Sequence, residues 1–260
     1  MMNNVVMLDF KGKLSGFETH KMPFPENWED IVDKVDEAFG EYFVCSSEEE
    51  GDWEYYYNLK TLLYLYFILK VPEYFWAVPA SSSGKYHPTF ALGDGGLVRH
   101  TQMACEIAKE MFRLDEYESC DPLHIMFALI IHDTFKSGHV NTGKTTYSHQ
   151  SIAADELWDL HDRLSKDQRL RMNGDVNYIC SLVQTHMGSW SRTPPTTKEQ
   201  FLVHLCDYIA SRKYFDKFVA QQSSTNDVLN KIAEKWDSLS EDSKNAIALI
   251  LGGTNDNRES

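Results

Sequence analysis

The chain has 260 residues, 42% of them hydrophobic, so it can bury one large core or a main domain with a small accessory lobe. Its formal charge of -14 disfavours close association with long nucleic acid or an anionic membrane unless a local basic patch is present. The five cysteines are odd in number and form no CxxC pair, which argues against a disulfide framework and a thiolate zinc site.

The N-terminus has neither the basic head nor the apolar run of a signal peptide. The longest apolar stretch, residues 62–69, is too short to span a bilayer. We therefore expect a cytoplasmic protein that has no membrane partner.

The first 75 residues are expected to form a partly helical extension packed on the main domain. Residues 5–10 suggest a strand or an extended arm. Hydrophobic residues at helical spacing predict one helix from Trp28 and a second from Trp53 to Lys70, which Pro72 ends. The acidic segment between these helices predicts a solvated loop.

An irregular loop is predicted over residues 79–96, which are rich in Ser, Gly and Pro, and its length makes it a candidate functional element. The residues that follow are helical in pattern. One helical face is shared by Leu97, Thr101, Ala104, Ala108 and Met111. Residues 122–131 are apolar all round, which is typical of a buried helix. Another helical face is formed by Val176, Ile179, Val183 and His186.

A further helix is predicted where Thr196 and Glu199 form a capping box, and it is expected to run to about Val219. Two more helices are predicted near residues 227–236 and 240–251. The prediction is thus an all-α helical bundle. Its main domain covers residues 76–220, and C-terminal helices with a frayed tail cover residues 221–260.

Six residues in the helical part could hold metal ions: His100, His132, Asp133, His149, His186 and Asp207. Imidazole and carboxylate ligands together suit Mn, Fe, Co, Ni or Zn, and with more carboxylate Mg. Adjacent helical residues point about 100° apart, so His132 and Asp133 can share a cluster best where their helix ends. A bridging carboxylate at Asp133 would let two ions lie about 3.5–4 Å apart.

The order of His100, the pair His132–Asp133, and Asp207 resembles the metal-binding pattern of the HD-domain superfamily. Members of that superfamily are mostly metal-dependent phosphohydrolases built on a bundle of helices. The resemblance extends over about residues 75–215, through the segments GGLVRHT, HDTFK, SHQSIAAD, THMGSW, PPTTKEQ and HLCDYIASR. These segments fall in the same order as in the HD-type 3'-to-5' exoribonucleases and their relatives.

The resemblance implies a role for each matching residue. A first metal is implied for His100, His132, Asp133 and Asp207, and a second for Asp133, His149 and His186. Lys136 matches a lysine that helps to hold the substrate phosphate, so Asp133 and Lys136 are the candidate catalytic residues. The candidate substrate-binding residues are Lys85, His87 and Arg212.

The remaining histidines are given other roles. His204 is interpreted as an outer hydrogen-bond partner of the cluster, whereas surface or packing roles are expected for His124, His139 and His161.

The sequence departs from the family pattern at three positions. Phe135 replaces a usual glycine, Met187 a second histidine, and Arg99 a common glutamate. The first two leave every proposed ligand in place and are expected to change the shape of the pocket.

One competing motif is the segment GHVNTGKT, residues 138–145, which satisfies the P-loop pattern. That pattern would place Lys144 and Thr145 on phosphate and magnesium. A P-loop, however, follows a buried strand of a parallel α/β sheet, and here a polar stretch precedes the segment. We therefore interpret it as a mobile loop near the metals.

The function predicted is cleavage of a phosphoester in a nucleotide or small nucleotide-type substrate by metal-activated water, with two divalent ions. A 3'-to-5' exonuclease acting on short RNA or single-stranded DNA ends is one alternative. The acidic charge and the missing OB-type domain favour the small substrate. A second alternative is a non-catalytic nucleotide-binding or interaction module on an HD scaffold, which the complete ligand set disfavours.

Overall fold

A computed structural model describes residues 22–44 and 50–214 of the chain, together with Asp216 and Lys244. These residues contain seven α-helices and no strand, so the all-α prediction is confirmed. The helices are α1 Trp28–Phe39, α2 Glu50–Leu69, α3 Gly96–Met111, α4 Pro122–Ile131, α5 His149–Asp162, α6 Lys166–Thr185 and α7 Lys198–Ala210. Residues 77–95 form the irregular loop that the composition predicts, with a short 3-10 helix at Thr89–Ala91.

Contacts divide the chain into two compact units, Met1–Lys213 and Tyr214–Ser260. The extended segment predicted at residues 5–10 and the helices predicted at residues 227–236 and 240–251 lie outside the described residues. None of the described helices is both long enough and apolar enough to cross a membrane.

Helix α4 lies at the centre of the first unit. The helix begins after its N-cap residue Asp121, whose Oδ1 accepts a hydrogen bond from the Leu123 amide at 2.9 Å. Pro122 occupies the first helical position. The helix packs against α2, α3, α6 and α7. Every residue from His124 to Ile131 is buried, because neighbours cover the helix on all sides. The prediction of a buried helix at this position is correct.

The N-terminal helix α2 packs against α1, α4 and α5. Tyr66 is its deepest anchor: the side chain is fully buried, and the hydroxyl donates to the Ala153 carbonyl at 3.1 Å. The same hydroxyl lies 3.1 Å from Thr134 Oγ1. Helix α2 is therefore joined both to α5 and to the residues that directly follow α4.

Three predicted helix boundaries are wrong. Helix α2 begins at Glu50 rather than Trp53, so the end of the acidic segment is helical. Helix α7 begins after Thr197, which forms the capping box with Gln200, one residue later than predicted. The helix ends at Ala210, well before Val219.

A partly buried ion network around His124 joins α2, α4 and α6. The two nitrogens of His124 face different carboxylates, Asp121 at 2.9 Å and Asp175 at 2.9 Å. The Tyr55 hydroxyl lies 2.9 Å from Nε2 of the same ring. Burial alone would lower the pKa of His124, but the two carboxylates raise it to about 9. His124 is therefore a packing residue that carries a proton at neutral pH.

We expect the stability of the fold to fall at alkaline pH through His124. Its pKa is about 9 in the folded chain against 6.5 as the ordinary value, so its contribution is complete below pH 6.5 and is lost as the pH rises through 9. At about 1.4 kcal/mol for each pKa unit, the loss is on the order of 3 kcal/mol. Urea unfolding at pH 6 and pH 9.5 measures it, with His124→Gln as the comparison. The same pH dependence in both chains would contradict the prediction.

Candidate metal centre

Five of the seven helices bring histidine or aspartate side chains to one place in the bundle. Helix α3 contributes His100 from its inward face, and α7 contributes Asp207 from its last turn. The other four lie at helix ends: His132 and Asp133 after α4, His149 at the first position of α5, and His186 at the end of α6. All are buried except Asp207, whose side chain is 15% exposed.

The first group of candidate ligands consists of His100, His132, Asp133 and Asp207, which offer ligand atoms within 4.8 Å of one another. Nε2 of His100 lies 3.0 Å from Oδ1 of Asp207. Nε2 of His132 lies 3.4 Å from Oδ2 of Asp133 and 3.6 Å from Oδ1 of Asp207. Two imidazoles and two carboxylates thus surround one point.

The second group consists of Asp133, His149 and His186. Oδ1 of Asp133 lies 3.1 Å from Nε2 of His149 and 3.9 Å from Nε2 of His186, and the two Nε2 atoms are 3.2 Å apart. Since Oδ2 of the same carboxylate faces His100 and His132, Asp133 turns one oxygen to each group. It is the one residue that the two groups share.

Backbone carbonyls orient three of the four histidines. Nδ1 of His132 donates to the Leu129 carbonyl at 2.6 Å, and Nδ1 of His149 to the Thr146 carbonyl at 2.7 Å. Nδ1 of His186 donates to the Val183 carbonyl at 2.7 Å. Each carbonyl belongs to the residue three positions earlier, so the helix end itself fixes the ring. With Nδ1 bonded to the backbone, Nε2 is the nitrogen that faces the cluster, where a metal ligand has to lie.

The carboxylates and histidines of the cluster shift one another's pKa values. Burial alone would raise the pKa of Asp133 and Asp207. Lys136 and neighbouring histidines hold the pKa of Asp133 well below its usual range, and His100 and His132 do the same for Asp207. Burial alone would lower the pKa of His132, but the carboxylates raise it to about 10. Burial lowers the pKa of His186 to about 3, and the positive charge of His132 acts in the same direction.

These residues suit divalent cations. Two buried atoms, Nε2 of His132 and Oδ1 of Asp133, have no hydrogen-bond partner, and each faces the interior of a ligand group. Leaving buried polar atoms unpaired costs about 1–3 kcal/mol each, which a coordinated ion would remove. Mixed imidazole and carboxylate donors suit Mn, Fe, Co, Ni or Zn. The cluster could therefore hold one ion in each group.

The candidate ligands lie in a region of the chain that matches a known protein family. Residues 97–212 match the family model described as the HD domain. This part of the chain belongs to the HD-domain family. The family generally consists of hydrolases that bind divalent metals, and the matched residues include all six candidate ligands. No curated protein and no solved structure matches the chain.

Two of the four remaining predicted site residues, Lys136 and His87, lie beside the two groups of candidate ligands. The Lys136 ammonium bonds to Oδ2 of Asp133, and its side chain is 14% exposed. The His87 ring lies 5.2 Å from the His100 ring, and its buried Nδ1 has no hydrogen-bond partner. Burial lowers the pKa of His87 to about 3, with help from the charge of Lys136, so the ring is neutral.

The other two predicted residues have contacts of a different kind. The Arg212 guanidinium lies 3.7 Å from the centre of the Tyr208 ring, and its buried Nε has no hydrogen-bond partner. Lys85 is exposed, and its ammonium lies 5.0 Å from the Tyr86 ring centre. Neither contact joins a metal ligand, so their roles in substrate binding stay predictions.

Sequence reasoning missed Gly188, which lies beside a residue that positions the candidate ligand His186. Nδ1 of His204 donates to the His186 carbonyl at 2.6 Å, so His204 holds the backbone of a candidate ligand. Its ring lies directly over Gly188, where an added Cβ would come within 2.3 Å of it. Gly188 also has a φ of 62°, which disfavours other residues. The glycine of THMGSW was the available signal.

Replacing Gly188 with alanine is expected to displace His204 and with it His186. Loss of an outer hydrogen-bond partner typically weakens metal affinity about 10- to 100-fold. Isothermal titration calorimetry with Mn²⁺ measures the affinity of the second ligand group for the ion in the wild type and in the variant. Gly174→Ala is the control, because nothing lies within 4 Å of a Cβ at that position. Equal Mn²⁺ affinities in the two variants would refute the positioning role.

Proposed function

We propose that the HD domain hydrolyses a phosphoester in a nucleotide or small nucleotide-type substrate, using two divalent metal ions. The observation that carries this proposal is the placement of Asp133, which offers one carboxylate oxygen to each of two buried ligand groups. When bound, divalent ions supply Lewis acidity that activates water and neutralises phosphoryl oxygens.

Residues of the chain supply the rest of the site. Lys136 places a positive charge at the partly exposed side of the cluster, where it can stabilise the charge that develops on a phosphoryl group. His87 is neutral and has a free buried nitrogen beside His100, so it can hydrogen-bond a substrate oxygen. Hydrogen bonds from Nδ1 to backbone carbonyls hold the orientation of His132, His149 and His186 as substrate enters. No serine or cysteine nucleophile is needed for this chemistry.

The exposure of the cluster favours a small substrate. Of the residues next to Asp133, Asp207 and Lys136 have only 15% and 14% of their side chains exposed. A narrow opening admits a small ester or a chain end more readily than the middle of a polymer. The charge of -14 also opposes a long polyanion.

Two exposed aromatic residues favour a substrate that carries a base. Tyr147 precedes the ligand His149 by two residues, and Trp190 follows His186 by four. The Tyr147 hydroxyl donates to the Trp190 carbonyl at 3.0 Å, which places the two residues together beside the second group. Their side chains are 72% and 58% exposed. Exposed aromatic rings are suited to stack on nucleobases, which supports nucleotides and, as a second candidate, short single-stranded ends.

The test begins with metal content. Elemental analysis of the purified full chain is expected to give two equivalents of divalent metal, and added Mn²⁺ to support hydrolysis of bis-p-nitrophenyl phosphate. Chelation should remove the activity and reloading should restore it. A screen of nucleoside phosphates, cyclic dinucleotides and short RNA or DNA then separates the small substrate from the exonuclease. Metal and nucleotide binding without any turnover would instead establish the non-catalytic module.

A further inference from the structure

The segment that matches the P-loop pattern, residues 138–145, lines a pocket beside the metal centre. Helix α4 precedes this segment, and the described residues contain no strand, so it is not the loop of a P-loop fold. The segment and residues 78–82 of the irregular loop enclose a volume of about 110 Å³. The polar residues that line the pocket are Ser82, Lys136, Ser137, Asn141, Lys144 and Thr145.

The chemistry of this lining suits an anion. Two lysines, three hydroxyl groups and one amide line the pocket, and no carboxylate does. That composition is unusual for a chain with 39 acidic against 25 basic residues. Lys144 is exposed and forms no ion pair within the part of the chain that the structure describes. Its charge is thus available to a ligand.

The size of the pocket suits a phosphoryl group. A single water needs roughly 10–15 Å³, and pockets for drug-sized molecules have about 300 Å³ or more. A volume of about 110 Å³ lies between these values. It can take a phosphate with a few waters, but it is too small for a nucleoside.

We propose that this pocket is a second phosphate subsite, which binds a phosphoryl group next to the one that is attacked. The assignment rests on the proposed function. Lys136 lies between the pocket and the metal centre, because it lines the pocket and its ammonium bonds to Asp133. One lysine can serve both phosphates only if they are close together. The substrate class is therefore a compound with adjacent phosphates, such as a nucleoside diphosphate or triphosphate.

Binding of methylenediphosphonate, a non-hydrolysable analogue of pyrophosphate, tests the subsite. Isothermal titration calorimetry compares the full wild-type chain with Lys144→Gln. Hydrogen bonds to charged groups are among the strong ones, so the variant is expected to bind about 10- to 100-fold more weakly. Lys144→Arg should keep most of the affinity.

Lys166→Gln is the matched control, because Lys166 is also exposed and lies at the start of α6, outside the pocket. Equal affinities of Lys144→Gln and Lys166→Gln would overturn the subsite, as would the absence of binding to the wild type at 10 mM. The probe is not hydrolysed, so the result does not depend on turnover. A chain that lacks hydrolase activity but loses affinity in Lys144→Gln would keep the subsite and refute only the proposed function.

Discussion

Replacing Asp133 with asparagine is expected to abolish metal-dependent phosphoester hydrolysis, with kcat lowered on the order of 10³-fold or more. Asp133 is buried and is shared by the two ligand groups. Asparagine keeps the size of the side chain but removes the charge that can bridge two cations. Hydrolysis of bis-p-nitrophenyl phosphate with Mn²⁺ measures the loss, and elemental analysis should show fewer than two metal equivalents.

A second aspartate provides the matched control. Asp162 ends α5, and its side chain is 73% exposed, so Asp162→Asn makes the same chemical change at the surface. That variant is expected to keep wild-type activity and metal content. Thermal unfolding of both variants shows whether the fold is intact. A folded Asp133→Asn chain with more than a tenth of the wild-type activity would refute the role of the shared carboxylate.

Four of the six candidate ligands lie at ends of helices, and for His132 and Asp133 the sequence predicts this position. The polar residues after Asp133 indicate in the sequence where α4 ends, and the structure places His132 and Asp133 there. The three Nδ1–carbonyl bonds follow from the same local geometry. The contact of His204 with Gly188 could not be predicted in this way, because it joins two segments through tertiary packing.

Two misjudged helices show the limits of local patterns. In the segment TPPTTKEQ, both Thr196 with Glu199 and Thr197 with Gln200 satisfy the capping-box spacing. The sequence cannot choose between them, and the structure uses the second pair. Helix α5 was not predicted as a helix, because its buried face includes the polar residues His149 and Gln150. A face that contributes a ligand loses the apolar periodicity that marks a helix.

Phe135 illustrates how a departure from the family pattern can be structural. It replaces the glycine that is usual two residues after the aspartate of the motif, and it is 1% exposed. Its ring centre lies 6.4 Å from that of Tyr66 in an edge-to-face arrangement and 5.2 Å from that of His139. Tyr66 belongs to α2, and its hydroxyl contacts Thr134. Phe135 therefore packs helix α2 against the segment that carries the candidate ligands His132 and Asp133.

Phe135→Ala is expected to lower the free energy of unfolding by about 3–5 kcal/mol, the usual cost of removing a buried phenylalanine ring. Urea unfolding at neutral pH measures the change. Phe201→Ala is the control, because that ring is 54% exposed and its loss should cost less than about 0.5 kcal/mol. If the two substitutions cost the same, Phe135 does not anchor α2. If Phe135→Ala unfolds more readily yet keeps its metal content while folded, the ring supports the fold around the centre, and the ligand geometry is maintained by the helix ends themselves.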